Sequence, residues 1–501
     1  MPQTTTSVSD TGGSLPRWTW YAFGTLTVVS YFAGLNLPLV GPDEPRYAQV
    51  AREMMERGDW ITPTLGGHTW FEKPALLYWL DILSYKVFGV SEFAARLGPA
   101  LFGLGTVVAL FIIGRTLNRT LGCGVGGYFA LIAASTLGLL VFSHGASFDI
   151  IVTFPITASL ACFWIYDEAE RRGESRLWSL AGFYAFVGIS LLAKGLIGIL
   201  FPYAIVAFYF LLSRRMPSKR LAVSLLWGTS LAAAIASVWY VPMYIRHGWQ
   251  FIDEFIIQHH FARFTSNKYQ HPQPFYFFLW VLPLMTLPWL PFVFGGLWKA
   301  VEGVVGKSET RTESSSLLLF ALSWLTVPLV FFSISGSKLP GYILPAVPGA
   351  VVLAAIVAHS VAVRKPRWRL GIVSVAALSL IIPVVGVFTV ASRYAADDSV
   401  KGLFDAATSQ GHAQDRVLML HTVSHNAEFY AAGRLERDEN GRQVEHFGAS
   451  EIAAFIRANG GSSVLVLVPN EYSDDLTSEP LLASQFISRN SRLSLFSVSR
   501  K

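Results

Sequence analysis

Residues 121–142 have the sequence LGCGVGGYFALIAASTLGLLVF, which contains no charged side chain. A helix needs about 20 apolar residues to cross the roughly 30 Å hydrocarbon core of a membrane, and this stretch is long enough. Further apolar stretches recur between Trp20 and Ala391, whereas residues 395–501 are more polar and alternate in the manner of a soluble domain. The sequence therefore predicts an α-helical polytopic membrane protein that ends in a small α/β domain.

The composition supports this class. The chain has 501 residues, of which 52% are hydrophobic and 14% are charged, whereas soluble proteins have about 25% charged residues. The net charge of +6 does not indicate nucleic-acid binding, because Lys and Arg lie mostly in short loops between apolar stretches. Cys123 and Cys162 lack metal-type spacing and are interpreted as packing residues. The polar residues 1–16 contain no short apolar region, so no cleavable signal peptide is expected.

Eleven helices are expected to cross the membrane. Their predicted ranges are 18–38, 93–115, 121–142, 148–167, 177–193, 195–212, 222–245, 276–298, 315–334, 341–362 and 369–392. Alternate loops are rich in Arg and Lys and are therefore assigned to the cytoplasm. These residues are Arg115, Arg119, Arg171, Arg172, Arg176, Arg214, Arg215, Lys219, Arg220, Arg364, Lys365, Arg367 and Arg369. The sequence thus predicts a cytoplasmic tail at 1–17, a membrane domain at 18–392 and an extracytoplasmic domain at 393–501.

The first loop on the outer side, residues 41–92, has structure of its own. Apolar residues recur at helical spacing in Pro45–Arg57 and in Pro74–Phe88. Both segments are too short to span a membrane and too apolar to be fully solvated. We therefore expect two interfacial helices that lie along the membrane surface.

Acidic residues stand where this loop begins and where a later span begins. Asp43 and Glu44 follow the first span within Gly41–Tyr47, and Asp149 opens the span at 148–167. Each of these carboxylates has two interpretations, a helix cap or a catalytic acid or base that faces a cavity at the membrane edge. The residues alone leave both open.

Cations occur in the same set of loops. Lys73, Lys194, Arg263 and Lys338 lie at the ends of apolar stretches, and Tyr342 follows Lys338. They could extend toward lipid headgroups, or they could bind a phosphate. Ionisable groups near membrane depth are costly, and these cations share one predicted face with the acids. That coincidence favours a functional site.

Seven short motifs resemble those of one family. They are Gly-Pro-Asp-Glu-Pro-Arg-Tyr at 41–47, Gly-Asp-Trp at 58–60, Phe-Glu-Lys-Pro at 71–74, Glu-Phe-Ala-Ala-Arg-Leu at 92–97, Ala-Lys-Gly at 193–195, His-Phe-Ala-Arg-Phe at 260–264 and Lys-Leu-Pro-Gly-Tyr-Ile-Leu-Pro at 338–345. In this order they resemble the aminoarabinose transferase branch of the GT-C glycosyltransferases, which is similar to the protein O-mannosyltransferases. The resemblance covers about residues 18–362.

The resemblance implies an inverting glycosyltransferase of the bacterial inner membrane with its active site on the periplasmic side. Its donor would be a sugar on polyprenyl (undecaprenyl) phosphate, and its acceptor a lipid or glycan of the envelope such as lipid A. By this resemblance Asp43 would be catalytic, and Glu44 and Asp149 are further catalytic candidates from the residues themselves. The residues assigned to the donor phosphate are Lys73, Arg263, Tyr342, Lys338 and Lys194. The residues assigned to a divalent metal ion are Glu72, His259 and His260.

The sequence departs from the family pattern in three ways. It has fewer predicted spans than the aminoarabinose transferases, Ala75 stands where a second proline is common, and the tail has no recognised match. The sugar and the acceptor are therefore left open. A transporter or flippase of lipid-linked sugars is the alternative function, but its typical inverted repeats are not seen in the sequence.

Overall fold

The computed structural model describes residues 17–262, 272–305 and 312–501. Its first part contains eleven helices and a small hairpin. The helices are α1 (Arg17–Phe32), α2 (Asp43–Glu56), α3 (Leu76–Phe88), α4 (Glu92–Thr116), α5 (Asn118–Leu121), α6 (Val125–Ala134), α7 (Leu137–Ser143), α8 (Phe148–Arg171), α9 (Leu177–Lys194), α10 (Ile197–Ser213) and α11 (Lys219–Phe251). The hairpin pairs β1 (Thr64–Leu65) with β2 (His68–Thr69) in antiparallel fashion.

The second part completes the membrane domain. A π-helical segment, Ile252–Ala262, continues α11, and a 3-10 helix, Pro340–Ala346, leads into a spanning helix. The helices are α12 (Phe277–Met285), α13 (Leu290–Val305), α14 (Glu313–Ser333), α15 (Val347–Arg364) and α16 (Arg367–Gly386). A π-helical turn, Val387–Ala391, and α17 (Ser392–Asp398) then carry the chain out of the bundle.

Helices lie at all eleven predicted spans, but they are less regular than predicted. In the described residues, seven helices are long and apolar enough to cross a membrane, and nine are if each of two bent pairs counts as one span. The other two predicted spans are α1 and α10, which have only 16 and 17 residues. The multi-pass membrane fold is confirmed, with shorter and more broken helices than hydropathy indicated.

The two bent pairs are α6 with α7, which meet at 58°, and α12 with α13, which meet at 115°. At the first bend, the hydroxyls of Ser135 and Thr136 donate to carbonyls one turn back, each at 2.6 Å. The amide of Leu137 donates to the carbonyl of Leu287 at 2.9 Å. The indole of Trp289 donates to Ser135 Oγ at 3.1 Å. The bend between α6 and α7 and the bend between α12 and α13 therefore supply hydrogen-bond partners to each other. Such pairing is needed because hydrocarbon offers no partner to a free backbone group.

The two helices expected in the first outer loop are α2 and α3. On α2, the residues predicted to form one apolar face are all at most 5% exposed. These residues are Tyr47, Val50, Ala51 and Met54. Their burial against α3 and the membrane domain fixes the position of the segment that begins at Asp43.

The C-terminal domain is a mixed sheet with helices on both faces. Its strands are β3 (Arg416–Leu420), β4 (Glu445–His446), β5 (Val464–Pro469), β6 (Leu482–Arg489) and β7 (Leu493–Arg500), in the order β4-β3-β5-β7-β6. Strand β3 is parallel to β4 and β5, whereas β7 is antiparallel to β5 and β6. Its helices are α18 (Lys401–Ser409), α19 (Ala427–Tyr430), α20 (Ala449–Ala458) and α21 (Ser473–Ser478), with a 3-10 turn at Asn470–Tyr472. The predicted α/β character of this part of the chain is confirmed.

This domain packs against the first outer loop. The hydroxyl of Tyr430 accepts a hydrogen bond from the amide of Leu39 at 2.8 Å. Arg52 donates to the carbonyl of Phe429 at 2.8 Å, and its guanidinium lies 4.2 Å from the centre of the Phe429 ring. The C-terminal domain and the loop that carries Asp43 therefore lie on the same side of the helix bundle.

Candidate active site

A cavity of about 370 Å³ lies where the outer ends of the helices meet the first outer loop. Polar side chains from six segments line it, and they are Asp43, Tyr47, Glu72, Lys73, Ser147, Asp149, Lys194, His259, Ser335 and Tyr342. Apolar side chains of α10, namely Ile197 and Leu200, line another part. Leu200 is 43% exposed. An apolar side chain exposed on a spanning helix faces lipid, so the cavity borders the hydrocarbon region.

Asp43 is the first residue of α2, and Pro42 occupies the capping position before it. Asp43 therefore is not the helix cap that one interpretation of the sequence expected. Its Oδ1 accepts a hydrogen bond from Arg46 at 2.6 Å, and its side chain is 51% exposed. The carboxylate thus reaches the cavity, is held by one neighbour on the same helix, and stays open to a ligand.

Glu44, the adjacent acid, has a different environment and is not among the described residues that line the cavity. Arg96 grips both of its oxygens, with contacts of 3.1 and 2.7 Å, and the amide of Ala146 donates to Oε1 at 2.7 Å. Arg96 also donates to the carbonyls of Leu37 and Pro38. Arg96 thus binds the Glu44 carboxylate outside the described lining of the cavity, although the sequence had offered Glu44 as a catalytic candidate.

Arg96 is the residue whose importance sequence analysis missed. It is 4% exposed near the start of α4 and joins the end of the first span to α2. The signal was present, since an arginine inside an apolar stretch needs buried partners. The sequence offered no means of choosing Glu44 as that partner.

Asp149 and Lys194 form a second charged group in the cavity. Ser147 caps α8 by accepting from the amide of Asp149 at 3.2 Å, so Asp149 is not itself the cap. The ammonium of Lys194 donates to Asp149 Oδ1 and lies 4.9 Å from the centre of the Tyr342 ring. A Cβ added to Gly341 would lie 1.9 Å from Asp149 Oδ2, so only glycine allows this approach. Two separate sequence motifs meet here.

Among the described residues, Lys73 is a second lysine that lines the cavity. Its ammonium contacts Glu72 Oε1 at 2.7 Å, and both side chains are at most 14% exposed. An ammonium has three donors, so Lys73 and Lys194 can each hold a carboxylate and still donate to a phosphate. Two such cations near an apolar wall suit a lipid-linked phosphate.

Lys338, another predicted phosphate ligand, lies away from the described lining of the cavity. Lys338 is 6% exposed and donates to the carbonyls of Ser335 at 2.5 Å and Gln273 at 3.0 Å. It is not among the described residues that line the cavity, and it braces the loop before the 3-10 helix. Arg263 lies outside the described residues.

The predicted metal ligands do not form a complete site within residues 17–262, 272–305 and 312–501. Glu72 and His259 both line the cavity, but no group of three His, Cys, Asp or Glu side chains in that part of the chain could hold a metal ion. The side chain of His260 lies outside the described structure. Mg²⁺ can bind through one or two protein ligands and keep water in its other positions, so Glu72 and His259 stay predicted ligands, and no catalytic step is assigned to a metal.

Comparison with known proteins identifies similar proteins that are named as transferases. Residues 31–257 match the model of the dolichyl-phosphate-mannose-protein mannosyltransferase family. The undecaprenyl phosphate-alpha-4-amino-4-deoxy-L-arabinose arabinosyl transferase of Shewanella sediminis is 30% identical over 370 residues, which are 71% of this chain and 62% of that protein. The protein of the same name from Yersinia pestis is 31% identical over 373 residues, which are 72% of this chain and 64% of the relative. The chain thus spans somewhat less than two thirds of these relatives.

Two solved structures have a similar fold. ArnT from Cupriavidus metallidurans, crystallised with undecaprenyl phosphate, gives a TM-score of 0.77 at 23% identity and covers 96% of this chain and 98% of that one. The archaeal oligosaccharyltransferase AglB from Archaeoglobus fulgidus gives a TM-score of 0.54 at 14% identity and covers 94% of this chain and 73% of that one. The resemblance found in the sequence motifs is confirmed, since the chain is similar in sequence to aminoarabinose arabinosyl transferases and similar in fold to ArnT and AglB.

Proposed function

We propose that this protein is an inverting glycosyltransferase that moves a sugar from undecaprenyl phosphate to a lipid or glycan acceptor of the envelope. The observation that carries the proposal is one cavity in which a carboxylate, two cations and an apolar wall meet. Asp43, Lys73, Lys194 and Leu200 supply these features. Each corresponds to a part of the reaction, namely the acceptor proton, the donor phosphate and the donor lipid.

The lipid-linked donor explains why the cavity borders hydrocarbon. The polyprenyl chain would lie along α10, against Ile197 and Leu200, while its phosphate receives hydrogen bonds from Lys73 and Lys194. Tyr342, whose ring lies beside Lys194, would orient that ammonium. The names of the relatives support aminoarabinose as the sugar, and the undecaprenyl phosphate in the related crystal structure supports the carrier.

The reaction is a single displacement. Asp43 accepts the proton of an acceptor hydroxyl or amine as that group attacks the anomeric carbon. The bond from this carbon to the phosphate oxygen breaks, and undecaprenyl phosphate leaves with the electron pair. Lys73 and Lys194 stabilise the charge that grows on the leaving oxygen. Attack from the face opposite the phosphate inverts the anomeric configuration.

The site would face the periplasm of a bacterial inner membrane, with lipid A as the acceptor suggested by the family. The Arg- and Lys-rich loops that support this orientation follow α4, α8, α10 and α15, at the ends away from Asp43. Arg263 would add a further phosphate contact, and its guanidinium could supply two parallel hydrogen bonds.

The test is replacement of the proposed base. Asp43→Asn keeps the size of the side chain and removes its ability to accept a proton, so transfer should fall at least about 100-fold. Purified protein in detergent, with undecaprenyl phosphate-linked aminoarabinose and lipid A, provides the assay. Asp474→Asn, on the exposed helix α21, is the matched control and should retain full transfer. If Asp43→Asn keeps more than about a tenth of the activity, base catalysis by Asp43 is wrong.

A further inference from the structure

A second cavity, of about 640 Å³, lies between the C-terminal domain and the start of the first outer loop. Its walls are the loops that follow β3 and β5, residues 422–426 and 469–471, and the turn 490–493 before β7. Since β3 and β5 are parallel neighbours, this is the carboxyl end of the parallel part of the sheet, where open α/β sheets bind ligands. The volume is within the usual range for a small-molecule site.

This cavity adjoins the proposed active site through consecutive residues. Gly41 and Pro42 line the second cavity, and Asp43 lines the first. The pKa of the His425 ring lies below its ordinary value because the ring is partly desolvated and Arg46 repels its charged form, while Asp43 acts in the opposite direction. His425, which lines the second cavity, is therefore close enough to Arg46 and Asp43 to feel both charges.

The walls are held by hydrogen bonds of their own. Asn470 donates to the carbonyl of Asn490 at 3.1 Å and accepts from Ser494 at 2.7 Å. Asn490 in turn donates to the carbonyl of Ser399 at 3.2 Å. Asp398 accepts from the amide of Gly41 at 3.4 Å and so ties the outer loop to the wall. These hydrogen bonds, within the C-terminal domain and between it and the outer loop, fix the shape of the cavity before a ligand binds.

Most of the lining residues have polar side chains, and their charges nearly balance. Thr422, Ser424 and His425 present hydroxyl and imidazole groups. Asn426 is 9% exposed, and its Oδ1 has no hydrogen-bond partner among the described residues. Arg492 lies 3.5 Å from Asp398, and Glu471 adds another negative charge. Such a surface suits a ligand with many hydroxyl and amide groups better than one with several phosphates.

We infer that this second cavity binds the hydroxyl-rich saccharide head group of the acceptor and presents its nucleophile to Asp43 across the Pro42 wall. The inference rests on the proposed transferase function, and it assigns the acceptor to the C-terminal domain while the donor occupies the first cavity. A displacement with inversion requires the nucleophile and the leaving phosphate on opposite faces of the anomeric carbon, and separate cavities for acceptor and donor allow that arrangement.

Separate measurement of the two substrates tests this assignment. In Thr422→Val and His425→Ala, a lost hydrogen bond to the saccharide should raise the KM for the acceptor about tenfold. The KM for the donor and the kcat should stay within about twofold, since neither residue lines the first cavity. Thr477→Val makes the same change on the exposed helix α21 and should alter none of these values. The inference would be overturned if Thr422→Val and His425→Ala both had the same KM for the acceptor as the Thr477→Val control.

A binding measurement needs no turnover. Saturation-transfer NMR on the full-length protein in detergent, without donor, should show contact with a phosphate-free glucosamine disaccharide, and Thr422→Val should weaken it. If the wild type binds the disaccharide but transfers nothing, the saccharide site stands and the transferase function fails. No disaccharide signal overturns the inference. Binding of glucosamine 1-phosphate alone, lost in Arg492→Ala, would also overturn it, because the cavity would then be an anion site.

Discussion

At the scale of single residues, the site contains charged side chains that would be costly in free energy near the membrane if they were unpaired. Lys194 ends α9 within an apolar run, and Asp149 begins α8, yet their side chains form an ion pair that is at most 17% exposed. A buried pair of this kind adds little net stability, whereas loss of one partner leaves a costly charge. The pair is therefore better explained by the reaction than by folding.

Lys194→Met tests whether this ammonium serves the donor or only neutralises Asp149. The single change should weaken binding of undecaprenyl phosphate about tenfold or more, because a charge-assisted hydrogen bond is lost. It should also destabilise the protein by about 3–5 kcal/mol, the usual cost of leaving one buried charge unpaired.

The double variant Asp149→Asn with Lys194→Met separates the two roles. Thermal stability should recover in the double variant because the unpaired charge has been removed. Lipid binding should remain weak, since the ammonium is still absent. Recovery of lipid binding together with stability would show that Lys194 acts only as the partner of Asp149.

At the scale of elements, the start of α2 is held by the fork between Arg96 and Glu44. Arg96, on α4, binds Glu44 of α2 and the carbonyls of Leu37 and Pro38, which follow the first span. Both side chains are at most 12% exposed, so water does not weaken the contact. Because Asp43 is next to Glu44, the fork sets the orientation of the proposed base.

Arg96→Lys should lower the kcat by about tenfold or more while leaving the affinity for undecaprenyl phosphate unchanged. A lysine keeps the charge but cannot make two parallel contacts to Glu44 and also reach the carbonyls. Arg115→Lys, at the other end of α4 and exposed, is the matched control. A lower melting temperature with unchanged kcat would mean that Arg96 supports only the fold and does not position Asp43.

At the scale of the whole molecule, the C-terminal domain and the membrane domain share one working face. Tyr430 of the domain contacts Leu39, which precedes the first outer loop, and Phe429 contacts Arg52 within that loop. Lys401 lies 3.5 Å from Glu92. Both proposed substrate cavities are on this face. The C-terminal domain and the proposed reaction therefore lie on the same side of the membrane.

A topology reporter tests whether the C-terminal domain lies on the periplasmic side of the membrane. Fused after Lys501, a reporter that is active only in the periplasm should give signal, because the Arg- and Lys-rich loops hold the opposite face in the cytoplasm. The same reporter placed in the loop at Arg214–Arg215 should be silent. Activity of a cytoplasm-only reporter after Lys501 would reverse the orientation of the whole molecule, including that of the site.

The sequence alone determined the membrane class, the helix positions, the α/β character of the tail and the resemblance to the aminoarabinose transferases. These features follow from local properties, since the hydropathy of each stretch and the spelling of each motif depend only on neighbouring residues. Hydropathy could not distinguish a straight span from the bend at Ser135 and Thr136. The partner of that bend is Leu287, about 150 residues further along the chain.

Only the tertiary structure decided which of the candidate side chains act together. Asp43 and Glu44 are adjacent and chemically alike, yet Arg96 holds Glu44 while Asp43 remains open to the cavity. Lys194 and Lys338 are both lysines at the ends of apolar runs, yet only Lys194 lines the cavity. The difference lies in contacts between residues far apart in the chain, which the packing of the helices creates and which no local pattern contains.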